Sequence, residues 1–182
     1  MTQARILARS ETRLSPWVCI VRKEVEFVPG QEAEVYHCLS QPDYVAILAQ
    51  TRSGLFPIVR QYRPAVEAYT WELPAGLLAQ GEDPANGCRR ELKEETGLEA
   101  ETIVSLGNYY PDTGRLENRI HPFFVLASDP DPEFGCEPGL SVEFVTARSL
   151  REYVLSGRFN HQLHLGLFAL VSLMGLSADL AG

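Results

Sequence analysis

The sequence predicts an α/β protein, an α/β/α sandwich preceded by a small β-hairpin unit. Three observations predict it. Short β-branched and aromatic runs recur along residues 43–146, each bounded by Gly, Pro or Ser clusters. Between them lies one segment, 83–97, with the spacing and both end signals of a helix, and two more helical patterns close the chain. Residues 14–40 read as a separate hairpin, set off by Ser40-Gln41-Pro42. The expected organisation is therefore an N-terminal β unit over 1–40 and a larger domain over 41–182.

Taken in order, residues 17–27 alternate loosely and form the first strand of the hairpin. Val28-Pro29-Gly30-Gln31 is a turn signal and 32–39 the returning strand. A lone hairpin is not independently stable, so it must pack on the rest of the chain or on another copy. Residues 43–50 and 55–61 are two strands joined at Arg52-Ser53-Gly54. The segment 61–64 (QYRP), a loop at 67–69 and 71–76 (WELPAG) then turn the chain toward the helix. In that helix Asp83 is the N-cap, Pro84 takes the first position and Gly97 marks the stop. Ala85, Cys88 and Leu92 form its apolar stripe. Residues 102–110 and 119–127 are expected strands with a loop at 111–117 between them. Residues 129–139 (DPDPEFGCEPG) are a loop, 140–146 a strand, and 147–155 and 161–174 helices.

The helix at 83–97 carries the chemistry. At 100° per residue Glu91, Glu94 and Glu95 share one edge. Close like charges repel by about 1 kcal/mol or more at surface dielectric, so the cluster is unfavourable unless a cation sits on it. Oxygen-only donors at this spacing suit Mg²⁺ or Mn²⁺. Arg90, four residues before Glu94, is placed to pair with it. On the carboxylates alone a solvated acidic helix face is the favoured reading.

The wider pattern points further. Gly76, five residues, Glu82, seven residues and then Arg90-Glu91-Leu92-Lys93-Glu94-Glu95-Thr96-Gly97-Leu98 matches the signature of the Nudix hydrolases across 23 residues. The chain resembles that family, whose members hydrolyse nucleoside diphosphates linked to another group. The resemblance implies that Glu91, Glu94 and Glu95, with the carbonyl of Ala75, bind the divalent metal, and that Arg90 and Glu82 orient them. QYRP followed by WELPAG, the hairpin with Trp17 and the proline loop after the box are similar to the ADP-ribose and nucleoside-diphosphate-sugar pyrophosphatase branch.

From that likeness Arg63 would reach the diphosphate, where a guanidinium fork suits the geometry. The other reading is a strand-end arginine paired with a surface acid. Trp17 either stacks on the base, through an N-terminal unit exchanged in a homodimer, or is an edge of the core. The proline loop departs from the tandem glycines common in the branch. Asp112, Arg115 and Glu117 could contact the second sugar there. The general base would come from the loop at 129–139, which offers Glu133 and Glu137. Glu137 stands just ahead of the next strand, where the family's glutamate tends to fall. The resemblance thus implies Mg²⁺-dependent hydrolysis of ADP-ribose or a related sugar nucleotide. A GDP-mannose or ADP-/UDP-glucose pyrophosphatase and a non-catalytic nucleotide sensor are the alternatives.

Composition limits the remaining options. A chain of 182 residues with 45% hydrophobic content supports one substantial core. Cys19, Cys38, Cys88 and Cys136 have neither CxxC spacing nor paired histidines, so free thiols in a reducing compartment are expected. The N-terminus has no apolar signal region, and the longest apolar run, 164–176, is too short to span a bilayer. A soluble cytoplasmic protein is expected. A net charge of −8 without a basic stripe argues against a nucleic-acid polymer as partner.

Overall fold

The computed structural model describes residues 3–177. The outer ends of the two expected segments, 1–2 and 178–182, lie outside these residues. The chain separates into two compact units, Met1–Asp43 with Tyr109–Arg119, and Tyr44–Asn108 with Ile120–Gly182. The loop at 109–119, expected to belong with the larger domain, clusters instead with the N-terminal strands.

The first unit is an antiparallel sheet of β1 (Arg5–Arg13), β2 (Cys19–Glu26) and β3 (Glu34–Ser40), in that order. β2 and β3 are the expected hairpin. β1 is an addition, nine residues long and exposed along its whole length, so it carries no buried alternation to announce it. The loop at 109–119 is fastened to β3 by the Leu39 amide donating to the Arg115 carbonyl (2.8 Å) and the Glu117 amide donating to the Leu39 carbonyl (3.0 Å).

The second unit centres on β4 (Tyr44–Thr51), which pairs in parallel with β9 (Ile120–Ala127). Around them the sheet runs β7 (Ala75–Leu77), β4, β9, β8 (Ala100–Ser105). Both inner strands are apolar on both faces, as a parallel strand covered on two sides must be. Val45, Ile47 and Ala49 face a core with Cys88 and Leu92 of α1 (Pro84–Thr96). Ala46 and Leu48 face the other core, with Phe56 and Ile58 of β5 (Phe56–Arg63), Leu150 of α2 (Ala147–Leu155) and Leu167 and Val171 of α3 (Gln162–Leu173). β5 lies in a second sheet between β10 (Leu140–Val145) and β6 (Ala68–Glu72). The layers are thus α1, the mixed sheet, and the small sheet with α2 and α3, the α/β sandwich expected.

α1 keeps its predicted ends because its caps are made. The Asp83 side chain accepts from the amides of Ala85 (3.0 Å) and Asn86 (3.2 Å). Gly97, at φ 73°, donates to the Lys93 carbonyl at 2.9 Å. β8 stops at Ser105, short of the expected 110, since Gly107 at φ 121° turns the chain out of the strand. No helix among the described residues is long and apolar enough to cross a membrane.

Candidate active site

The acidic edge of α1 is assembled against β7. Three residues of strand suffice to bring Ala75 and Gly76 onto the helix. The Ala75 amide donates to Glu95 Oε2 at 3.0 Å. The Glu91 carboxyl lies so close over Gly76 that a Cβ there would come within 2.0 Å of Glu91 Cδ. Glycine at 76 is therefore what lets the Glu91 carboxyl lie there, a matter of contact and not of backbone conformation. Gly87 plays a similar part on the helix itself, where a Cβ would meet Leu78 Cδ2 at 2.3 Å.

Arg90 ties the edge together. Its Nε and Nη2 donate to the two oxygens of Glu82 (both 2.9 Å), and Nη1 donates to Glu91 (2.6 Å) and Glu94 (3.2 Å). Nη2 also reaches the Leu77 carbonyl at 3.2 Å. The anticipated Arg90–Glu94 pair is one arm of a four-partner clamp. Glu82 accepts further from the Ala79 amide at 2.8 Å, so the loop before the helix is pinned to the same guanidinium.

The three glutamates differ sharply in environment. Glu94 is exposed, Glu91 is buried and Glu95 is mostly buried. Burial raises the Glu91 carboxyl, against the pull of Arg90. Burial pushes Glu95 up to about 8; the Ala75 amide opposes that shift and the Glu91 charge adds to it. Desolvation, rather than the mutual repulsion anticipated from spacing, is thus the larger source of electrostatic tension. Two carboxyls driven toward neutrality are a place where a proton or a cation must compensate. The donor set is all oxygen, so these residues fit a hard divalent cation.

Next to this edge lies a charged pair, Arg63 and Glu72, of which the sequence marks only the arginine. Arg63 donates from Nε (2.8 Å) and Nη2 (2.6 Å) to Glu72, which is fully buried and also accepts from Thr70 Oγ1. Burial alone would raise Glu72; the bonds from Arg63 and Thr70 outweigh it and hold the carboxyl at about 2. The partner of Arg63 is therefore a buried acid, not a surface one. Arg63 and Glu72 both act electrostatically on Glu95. The sequence signal for Glu72 was parity: Arg63, Thr70 and Glu72 share a face in the β5–β6 register. Two histidines adjoin Glu72, His161 at the N-cap of α3 and His164 within it, and no sequence pattern marks either as a site residue.

Glu133 and Glu137 are both exposed in the loop after β9. That loop is seated on the end of α1, where Phe134 packs so tightly on Gly97 that a Cβ would meet its ring at 2.5 Å. In the first unit Trp17 is 61% exposed. Asp112 accepts from the amides of Gly114 (2.7 Å) and Arg115 (3.1 Å) and thereby shapes its own turn. Glu117 is clamped by Arg9 (3.0 Å to each oxygen) and Lys23 (2.5 Å). Arg115 lines a small cavity with Ile20, His37, Cys38 and Leu39.

The NUDIX domain family matches residues 30–162. The chain belongs to the Nudix family. Among Nudix and related sequences, it is 34% identical over 98 residues to the ADP-ribose pyrophosphatase of Bacillus subtilis (strain 168), covering 54% of this chain and 53% of that protein. It is 38% identical over 94 residues to the ADP-ribose pyrophosphatase of Mycobacterium tuberculosis (strain ATCC 25618 / H37Rv), covering 51% and 45%. The chain spans about half the length of these curated relatives. A crystal structure of an ADP compounds hydrolase superposes with a TM-score of 0.80 over 97% of both chains at 21% identity, a likeness of Nudix fold.

Proposed function

We propose that the chain hydrolyses the diphosphate bond of ADP-ribose or a related nucleoside diphosphate sugar, releasing a nucleoside monophosphate and a sugar phosphate. The observation that carries this reading is the buried pair Glu91 and Glu95, set on the Gly76 cradle and clamped by Arg90. Glu91, Glu94, Glu95 and the Ala75 carbonyl would hold Mg²⁺, with Mn²⁺ able to replace it. Bound there, the metal supplies charge for the phosphate oxygens and acidifies a coordinated water. Arg90 keeps the carboxylates in register, and Arg63 presents Nη1, which Glu72 does not use, to the diphosphate. Glu137 takes the proton of the attacking water as its oxygen bonds to phosphorus and the P–O–P bridge breaks.

Trp17 supports a role for the first unit. A tryptophan presented to solvent is suited to stack on a base, and in a homodimer exchanged through this unit it would serve the neighbouring copy. A cytoplasmic setting suits four cysteines that are all free. The test is kcat/KM with Mg²⁺ for ADP-ribose, ADP-glucose, UDP-glucose, GDP-mannose and NADH, with products identified. A preference of a hundredfold or more for ADP-ribose is expected. A peak on another sugar nucleotide keeps the chemistry and moves the specificity; no turnover on the whole panel makes the chain a sensor.

A further inference from the structure

Glu72, His161 and His164 bring ligand-type atoms within 4.8 Å of one another. Two imidazoles and a carboxylate have the composition of a metal set, but their hydrogen bonds oppose it. The Leu73 amide donates to His164 Nδ1 at 3.1 Å, and the His164 amide donates to His161 Nδ1 at 3.4 Å, with the two rings stacked at 3.8 Å. A neutral imidazole that accepts at Nδ1 carries its proton on Nε2, so each ring offers an N–H there and no lone pair. Both rings stay neutral, since burial first of all lowers His161 and brings His164 down to about 3. A cation would have to displace two backbone amides and the guanidinium already on Glu72.

What these groups do form is the polar wall of a cavity of about 580 Å³ between the β5–β6 hairpin and the start of α3. The two formal charges in that wall, Arg63 and Glu72, neutralise each other. Every other polar group there is uncharged: the Asn160 and Gln162 carboxamides, Thr70 and the His161 imidazole. Tyr69, 58% exposed, supplies a flat aromatic face. Apart from Arg63, whose Nη1 Glu72 does not use, such a wall gives no advantage to a phosphate or carboxylate. Carboxamides, each both donor and acceptor, bridge neighbouring hydroxyls, and an aromatic face suits the C–H side of a sugar ring.

We infer that this cavity is the subsite for an uncharged sugar, the one joined to the far phosphate of the diphosphate. The inference rests on reading Arg63 as the diphosphate contact, because Arg63 stands both in the cavity wall and within electrostatic reach of Glu95. It moves sugar selection away from the loop at 112–117, where Asp112 and Glu117 are engaged within the first unit. The ribose of the nucleoside has the same hydroxyl chemistry, and the experiment separates the two sources.

The test is equilibrium binding by calorimetry, with chelator present to prevent turnover, of ADP-ribose and of ADP, which lacks the second sugar. Wild type is compared with Asn160→Ala/Gln162→Ala. Both residues are exposed, so the variant keeps its fold, checked by Tm. Wild type is expected to bind ADP-ribose about tenfold tighter than ADP, and the variant to lose that difference while its ADP affinity holds. Equal weakening of both ligands would assign the cavity to the nucleoside and overturn the inference. So would a variant indistinguishable from wild type. If instead wild type turned over no sugar nucleotide with Mg²⁺, the hydrolase reading would fail, and the binding difference would still report on the cavity.

Discussion

Replacing Glu95 by Gln removes a carboxyl that the metal-free fold holds protonated, and the consequence for stability can be worked out. The folded group titrates near 8, against an ordinary value of 4.5. Below pH 4.5 both folded and unfolded chains carry the proton and the residue contributes no pH dependence. Between 4.5 and 8 the unfolded chain has released its proton while the folded one retains it, so wild-type stability falls as pH rises; above 8 the loss levels off. At pH 7, about 2.5 pH units into that window, the loss is about 3 kcal/mol. Gln titrates in neither state and its amide oxygen still accepts from Ala75, so Glu95→Gln in chelator should be more stable than wild type by about that amount at pH 7. The gain should shrink toward zero at pH 4.5. Denaturant midpoints at pH 5, 7 and 8.5, with turnover in Mg²⁺ measured alongside, provide the check. Turnover should be lost throughout. A variant less stable than wild type at pH 7, or a gain that does not change with pH, would refute the desolvation argument.

Two further outcomes depend on contacts at the same edge. Gly76→Ala places a methyl where the Glu91 carboxyl lies; that carboxyl is the far end of a flexible side chain and can swing away. The Tm should therefore move by only a few degrees, while activity falls about 100-fold or more and the Mg²⁺ concentration needed for half-maximal rate rises. Glu137→Gln, in an exposed loop, should leave the denaturant midpoint unchanged and lower kcat by about 100-fold or more as a lost general base; near-normal turnover would transfer the role to Glu133 or to the helix.

Where local chemistry sets the structure, the sequence was readable. α1 and α2 fall on the predicted residues because a capping side chain and a stop residue bound each one. Arg90 pairs with Glu94 across one turn of α1, as their spacing implied, and Ala75 and Gly76 lie against Glu95 and Glu91. β1 escaped notice because strand reading relies on alternation, and a strand exposed on both faces has none. β7 is three residues held only by pairing with β4. The partner of His164 is tertiary, 91 residues from the amide the ring accepts from, and no local pattern encodes such a bond. The capture of 109–119 by the N-terminal strands is of the same kind.

The fully exposed strand β1 has a consequence for handling the protein. Its outer side is a nine-residue row of backbone donors and acceptors, a template on which an unrelated strand could extend the sheet. Arg5, Arg9, Glu11 and Arg13 punctuate that row with charge, and Arg5 and Arg9 are held in place by Glu26 and Glu117. Trimming the chain before Cys19 would strip this charged border and leave β2, whose Val21 and Val25 are buried, as the new margin. A shortened version of this protein would therefore lose solubility before it lost the chemistry of α1.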